Sequence, residues 1–229
     1  MPNLYEDESG VIRALVDRLG HDLEPSILIG GWATFVRVGG EISLDIDLIT
    51  SQESRHKLEQ LMTDLSPSNN HHGRKLRATI DDVHLDIYLP YESQLGSKLR
   101  LKVEVLAEYP DELAFEKWTL LRLEAHIATK MAALLDRHFS EKGQKDAREI
   151  LALLKPDGID PAVAAEVLDR ASAVDIGDLP ALIGEAFDLI GNIITLSKAD
   201  QKRVATTRKS WMNELQARAT PAQDLRPRL

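Results

Sequence analysis

"LIGGWATFVRVGGEISLDIDLIT", Leu28–Thr50, places two acids inside a run that otherwise reads as a buried strand. Where the pattern asks for Val or Ile, the segment Ser43–Thr50 carries Asp45 and Asp47. In a strand, residues two apart share a face, so the two carboxylates project together, about 6.5–7 Å apart along the chain. Ile46 and Leu48 then point to the other face, into a core. Partly desolvated carboxylates this close repel each other and raise one pKa. A divalent cation between them reverses the penalty. Mg²⁺ suits the position, because it takes oxygen ligands and keeps coordination sites for water and phosphate.

Working outward, "HLDIYLP" at His84–Pro90 is a second apolar strand interrupted by one acid, Asp86, between Leu85 and Ile87. If it neighbours the Asp45 strand, three carboxylates converge on one sheet face, as two-metal phosphoryl chemistry requires. On the other side, "SILIGG" at Ser26–Gly31 reads as a short buried strand ending in Gly30 and Gly31, which open a helix. Backbone N–H groups and a helix N-terminus face an anion there with no β-carbon in the way. A Gly-Gly or a D-x-D alone is a weak signal. Gly-Gly at a strand end, thirteen residues, an acid–apolar–acid strand and a later single-acid strand form a far more specific combination.

The rest of the chain frames this site. Helical spacing at Val11, Ile12, Leu15, Val16 and Leu19 predicts an N-terminal helix capped by Ser9. "WATFVRV" reads as a short helix stopped by Gly39 and Gly40, and Ser51–Leu65 as another, ended by "SPSNN". "RKLRATI" and "VHLDIYLP" are strands joined at Asp81-Asp82. From Asp111 the character becomes helical: a long pattern over Glu112–His138, another over Gln144–Leu154, and three more near Pro161–Ala173, Leu179–Thr195 and Lys198–Ala219. "KPDGIDP" at Lys155–Pro161 has the composition of a boundary. The expected fold is α+β: a small mixed β-sheet core with flanking helices over residues 1–155, followed by a C-terminal helical bundle over residues 159–229.

Composition bounds the function. The 229 residues are 43% hydrophobic, enough for an ordinary core, with no apolar run of about 18 that would span a membrane. "MPNLYEDESG" lacks an apolar leader core, so a cytoplasmic location is expected. Without cysteines, disulfides and thiolate metal sites are excluded. A net charge of −9 argues against a general polyanion binder, although Lys198–Leu229 carries eight Lys/Arg against three Asp/Glu. That segment and "RKLR" at Arg74–Arg77 read either as solvated surface or as local phosphate contacts. The seven histidines, His71 and His72 included, show no ligand spacing, and Trp32, Trp118 and Trp211 read as packing residues.

The helical half adds cations. Arg122, His126, Lys130 and Arg137 fall at spacings of four, four and seven, a polar stripe on an otherwise apolar helix. Facing the sheet, such a row suits a triphosphate. Lys130 is the strongest candidate, because Ala128, Thr129, Ala132 and Ala133 around it are small.

"GGWATFVRVGGEISLDIDL" resembles the signature of the polymerase-beta-type nucleotidyltransferase superfamily, a resemblance covering about Ser26–Leu89. It implies that Asp45, Asp47 and Asp86 hold Mg²⁺, that Gly30 and Gly31 contact the phosphates of an NTP, and that Ser43 keeps a small hydroxyl beside them. Lys130, Ala133 and Arg137, followed by Lys145, Asp146 and Glu149, resemble the AbiEii-like nucleotidyltransferase toxins of type IV toxin–antitoxin systems. That likeness implies nucleotide binding by Lys130 with Arg137, and a catalytic or acceptor-positioning role for Asp146. Its implied partners are an RNA acceptor such as a tRNA 3′ end and a cognate antitoxin. Glu41 stands where relatives commonly have Arg, and Gly31 where many have Ser. "GGWA" is closer to the aminoglycoside- and lincosamide-modifying nucleotidyltransferases. Three readings therefore stand: a Mg²⁺-dependent toxin acting on RNA, an antibiotic-modifying enzyme, and an inert nucleotidyltransferase-fold binding module.

Overall fold

The computed structural model describes residues 26–68, 75–80, 83–111 and 118–220, together with Gly10. The expected helix around Val11–Leu19, the Asp81-Asp82 turn, His71, His72, Arg74 and the last nine residues of the basic C-terminal segment lie outside the described residues.

The chain forms an α+β structure. Strands β1 (Ser26–Ile29), β2 (Asp45–Thr50), β3 (Thr63–Ser68), β4 (Lys75–Ile80) and β5 (Val83–Tyr88) alternate with helices α1 (Gly30–Val38) and α2 (Arg55–Leu61). Short strands β6 (Gln94–Leu95) and β7 (Leu101–Lys102) pair with each other and lead into helix α3 (Val103–Leu106). Strand β8 (Thr119–Leu120) then returns to the main sheet. Five helices complete the described chain: α4 (Leu123–Arg137), α5 (Glu141–Leu153), α6 (Pro161–Ala171), α7 (Leu179–Ile193) and α8 (Lys198–Ala219).

The main sheet is mixed, in the order β3-β4-β5-β2-β1-β8. β2 runs parallel to β5 and β1 parallel to β8; the other neighbours are antiparallel. Its two faces are buried differently. Leu28, Ile46, Leu48, Leu85 and Ile87 pack with Trp32 of α1 and Leu58 of α2. Ile27, Ile29 and Ile49 face the opposite way and join a cluster that continues through Ile127 and Met131 of α4 to Phe187 of α7 and Trp211 of α8. Helix starts are set locally. Ser140 accepts from the Gly143 amide at 3.0 Å, Ser197 accepts from the Asp200 amide at 3.1 Å, and Asp160 caps α6 with Pro161 in the first turn.

Two elements differ from the sequence expectation. The helix expected over Ser51–Leu65 ends at Leu61, and the chain returns as strand β3. Pro67 is tolerated because β3 is the edge of the sheet, where a missing N–H leaves no ladder bond unmade. The long helix expected over Glu112–His138 begins only at Leu123, and Thr119–Leu120 form a strand beside β1. In "WTLLRL" the apolar run is too short for periodicity to separate strand from helix. No described helix is long and apolar enough to cross a membrane.

Candidate active site

Strand alternation places the acids. Ile46 and Leu48 are fully buried on one face of β2, so Asp45 and Asp47 emerge on the other, toward α4 and α5. The parallel register sets Asp47 directly beside Asp86, and the antiparallel registers add Ile29 on one side and Arg77 on the other. A row Ile29–Asp47–Asp86–Arg77 thus crosses four strands. Burial, then the charge of Asp86, pushes the Asp47 carboxyl up to about 7, against the opposing pull of Lys130 and Lys75. Asp86 is held by two cations: Lys75 donates to Oδ2, and Arg77 Nε donates to Oδ1 at 3.2 Å. Among the described residues, Asp45 is paired only with the exposed Lys142, at 3.4 Å.

The glycine turn lies against this row. Gly30 has φ +71°, and a β-carbon there would stand 2.2 Å from Asp47 Oδ2. At Gly31 a β-carbon would stand 2.8 Å from Ser43 Cβ and 3.0 Å from Ser43 Oγ. The absence of a side chain at Gly31 is therefore what lets Ser43 place its hydroxyl beside the start of α1. Behind the turn, Thr34 Oγ1 donates to the Gly30 carbonyl at 3.2 Å and lies 3.2 Å from His126 Nε2. Burial, then the charge of Lys130, holds this imidazole well below its usual range, so it stays neutral. His126 belongs to the polar stripe read from the sequence, whereas Thr34, inside the apolar pattern of α1, gave no such signal.

Helices α4 and α5 supply the opposite wall. Lys130, 5% exposed, donates to Glu149 and lies 3.6 Å from Asp146 Oδ1. Arg137 grips Asp146 in two bonds, Nε to Oδ2 at 2.6 Å and Nη2 to Oδ1 at 2.9 Å. Asp146 is 1% exposed and holds the two cations in place; it presents no free carboxylate to the cleft. Glu149 Oε1 makes no hydrogen bond among the described residues and would lie 3.5 Å from a β-carbon on Gly31, so α5 closes onto the glycine turn. The connection between α1 and β2 is tied to α5 as well: Arg148 Nε donates to Glu41 at 2.6 Å, and Lys145 donates to the Ile42 carbonyl at 3.0 Å.

Between these walls lies a cleft of about 1120 Å³. Gly30, Gly31, Ser43, Asp45, Asp47, Asp86, Lys130, Arg137 and Asp146 all line it, and so do Lys75, Arg77, Tyr88 and Glu149. Among the described residues, no three of Asp, Glu, His and Cys form a metal-ligand cluster. Asp45 and Asp47 nevertheless fit a hard cation such as Mg²⁺. Both are oxygen donors on an open wall, and crowding by negative charge helps drive the Asp47 pKa upward. Asp86 fits less well, because Lys75 and Arg77 already engage both of its oxygens.

No family model matches the chain, and no curated protein does. Solved structures with partial likeness include a nucleotidyltransferase-like antigen from Paracoccidioides brasiliensis, 15% identical over 84% of this chain and 95% of that one, with a TM-score of 0.44. The antibiotic-resistance factor ANT(2'')-Ia is 16% identical over 93% of this chain and 95% of that one, at 0.40. A candidate nucleotidyltransferase from Thermotoga maritima is 18% identical over 53% of this chain and 81% of that one, at 0.38. Likeness at this level decides nothing by itself, and function is read from the chain's own residues.

Proposed function

We propose that the protein is a nucleotidyltransferase, moving a nucleoside monophosphate from an NTP to an acceptor hydroxyl with Mg²⁺ on Asp45 and Asp47. The observation that carries this reading is the facing of the carboxylate row on β2 and β5 against the Gly30–Gly31 turn and the Lys130–Arg137 wall, in one cleft. Mg²⁺ bound there would offset the charge of the acids and the phosphates and polarise the α-phosphate. The chain's own residues do the rest. Amides at the start of α1 and the Ser43 hydroxyl bind phosphate oxygens, and Lys130 and Arg137 lie across the cleft to balance the triphosphate. The acceptor oxygen forms a bond to the α-phosphorus, the bond to pyrophosphate breaks, and a carboxylate of the row takes up the hydroxyl proton. Asp146 and Glu149 orient the two cations. We read residues 1–155 as the catalytic unit and 159–229 as a helical unit beside it.

For the acceptor, the resemblance of Lys130, Ala133, Arg137, Lys145, Asp146 and Glu149 to the AbiEii-like toxins supports an RNA, such as a tRNA 3′ end, and with it a toxin neutralised by an antitoxin. The basic segment adds less. Arg203, Arg208 and Arg218 of α8 pair with Asp200, Asp188 and Asp169, and no residue of α8 lines the cleft. A small cationic acceptor, such as an aminoglycoside, is the second reading. Asp136 favours it, a carboxylate on the cleft wall that is bonded to the Ser97 and Lys98 amides and the Ser97 hydroxyl. The test is transfer of α-³²P label from each NTP, with Mg²⁺, to total tRNA and separately to aminoglycosides. Labelled tRNA supports the first reading and labelled drug the second. No transfer to either, with Asp45→Ala/Asp47→Ala leaving the cellular phenotype unchanged, would favour an inert binding module.

A further inference from the structure

The three carboxylates of the row are not equally available. Among the described residues, Asp47 makes no ion pair, and Asp45 meets only Lys142, whose side chain is 68% exposed and replaceable by water. Asp86 is different. Lys75 is 7% exposed, and its ammonium donates to Asp86 Oδ2 while lying 5.8 Å from the centre of the Tyr88 ring. Arg77 stands opposite Asp86 in the β4–β5 register and donates to Oδ1. A buried ammonium requires a partner, and here that partner is Asp86. Moving Asp86 onto a metal would leave Lys75 without one.

We propose that Lys75 is a built-in cation for Asp86, so that the cleft takes one divalent ion, on Asp45 and Asp47, where three free carboxylates would take two. This inference rests on the nucleotidyl-transfer reading of the cleft. It reassigns Lys75 from the basic "RKLR" group, read from sequence as surface or a phosphate contact, to a positioning residue inside the site. The pairing fixes the Asp86 carboxylate and places one positive charge beside the row at all times. The charge balance at the acids is therefore met partly by the fold and partly by a bound ion.

The experiment counts ions on the full chain, with Mn²⁺ in place of Mg²⁺ and α,β-methylene ATP as an unreactive nucleotide, by electron paramagnetic resonance at saturation. Wild type is expected to hold one Mn²⁺ per chain, and Lys75→Arg the same. Lys75→Met frees Asp86 Oδ2, leaving only the half-exposed Arg77 on Oδ1, and is expected to hold two, with the spectral broadening of two nearby spins. Two ions in wild type, or a folded Lys75→Met that still holds one, overturns the inference. Should Lys75→Met not fold, the wild-type count decides alone. A chain that binds no Mn²⁺ at all defeats the nucleotidyl-transfer reading itself, an outcome distinct from two.

Discussion

Gly30 lies so close to Asp47 that a β-carbon on it would stand 2.2 Å from the carboxylate Oδ2. With φ +71°, the position also sits in a backbone region costly for L side chains, by about 1–2 kcal/mol. Gly30→Ala must therefore displace either the turn or the acid. The expected outcome is a lower melting temperature together with a loss of nucleotidyl transfer on the order of 100-fold, the usual consequence of misplacing a reacting group by about 1 Å. Wild-type transfer by Gly30→Ala would show that the turn and Asp47 do not act together.

The Asp47 carboxyl gives the metal-free protein a pH signature. Its folded pKa, about 7, lies above the 3.8 of an ordinary aspartate, so the folded state holds an extra proton between those limits. Stability from this group is complete below about 4 and is lost as pH rises to 7. Urea midpoints measured in a chelator from pH 4 to 8 should fall with pH in wild type and fall less in Asp47→Asn. Parallel curves would count against it. Added Mg²⁺ at pH 8 should raise the wild-type midpoint and leave Asp47→Asn nearly unmoved.

Lys130 and Glu149 form a buried pair, each side chain 6% exposed. Removing one partner leaves the other with only a longer contact, Lys130 to Asp146 at 3.6 Å or Glu149 to Lys145 at 4.0 Å, at a cost near the lower end of about 3–5 kcal/mol. Lys130→Met and Glu149→Leu should each destabilise by that order, while the double variant recovers part of the loss. Denaturant titration of the four proteins checks this, and strictly additive losses would contradict it. Transfer assays on Glu149→Gln should show a raised KM for NTP, since Lys130 loses its anchor.

Trp211 of α8 is fully buried and meets Phe187 of α7 edge-to-face at 5.7 Å. Trp211→Ala should cost about 3–5 kcal/mol. No residue of α8 lines the cleft, so the KM for NTP should stay near wild type at temperatures where the variant remains folded. A large change in KM would show that α8 shapes the site.

Much of the site was legible because strand alternation is strict. Once Ile46, Leu48, Leu85 and Ile87 are assigned to a core, Asp45, Asp47 and Asp86 have only one face left. The glycines were equally readable, since few local features other than a turn place two together after an apolar run. What could not be read was long-range pairing. Lys75 and Arg77 meet Asp86 only because β4 runs antiparallel to β5 in one register, and no spacing within "RKLR" encodes that. Asp146 enters as an active-site acid through the family resemblance alone, and its two bonds from Arg137 lie beyond what spacing encodes. Strand β3 was missed because Pro67 looks like a terminator until its edge position is known. Thr34 supports the turn from within a helix whose apolar periodicity hides it, while the polar stripe pointed to His126 without indicating its partner.

The pair Glu41–Arg148 ties the cleft's rim to α5 through two side chains about half exposed to water. An attraction so open to solvent weakens as ionic strength rises. Sodium chloride should thus loosen the segment that carries Ser43 and leads into Asp45, making the width of the entrance a property of the medium as well as of the fold.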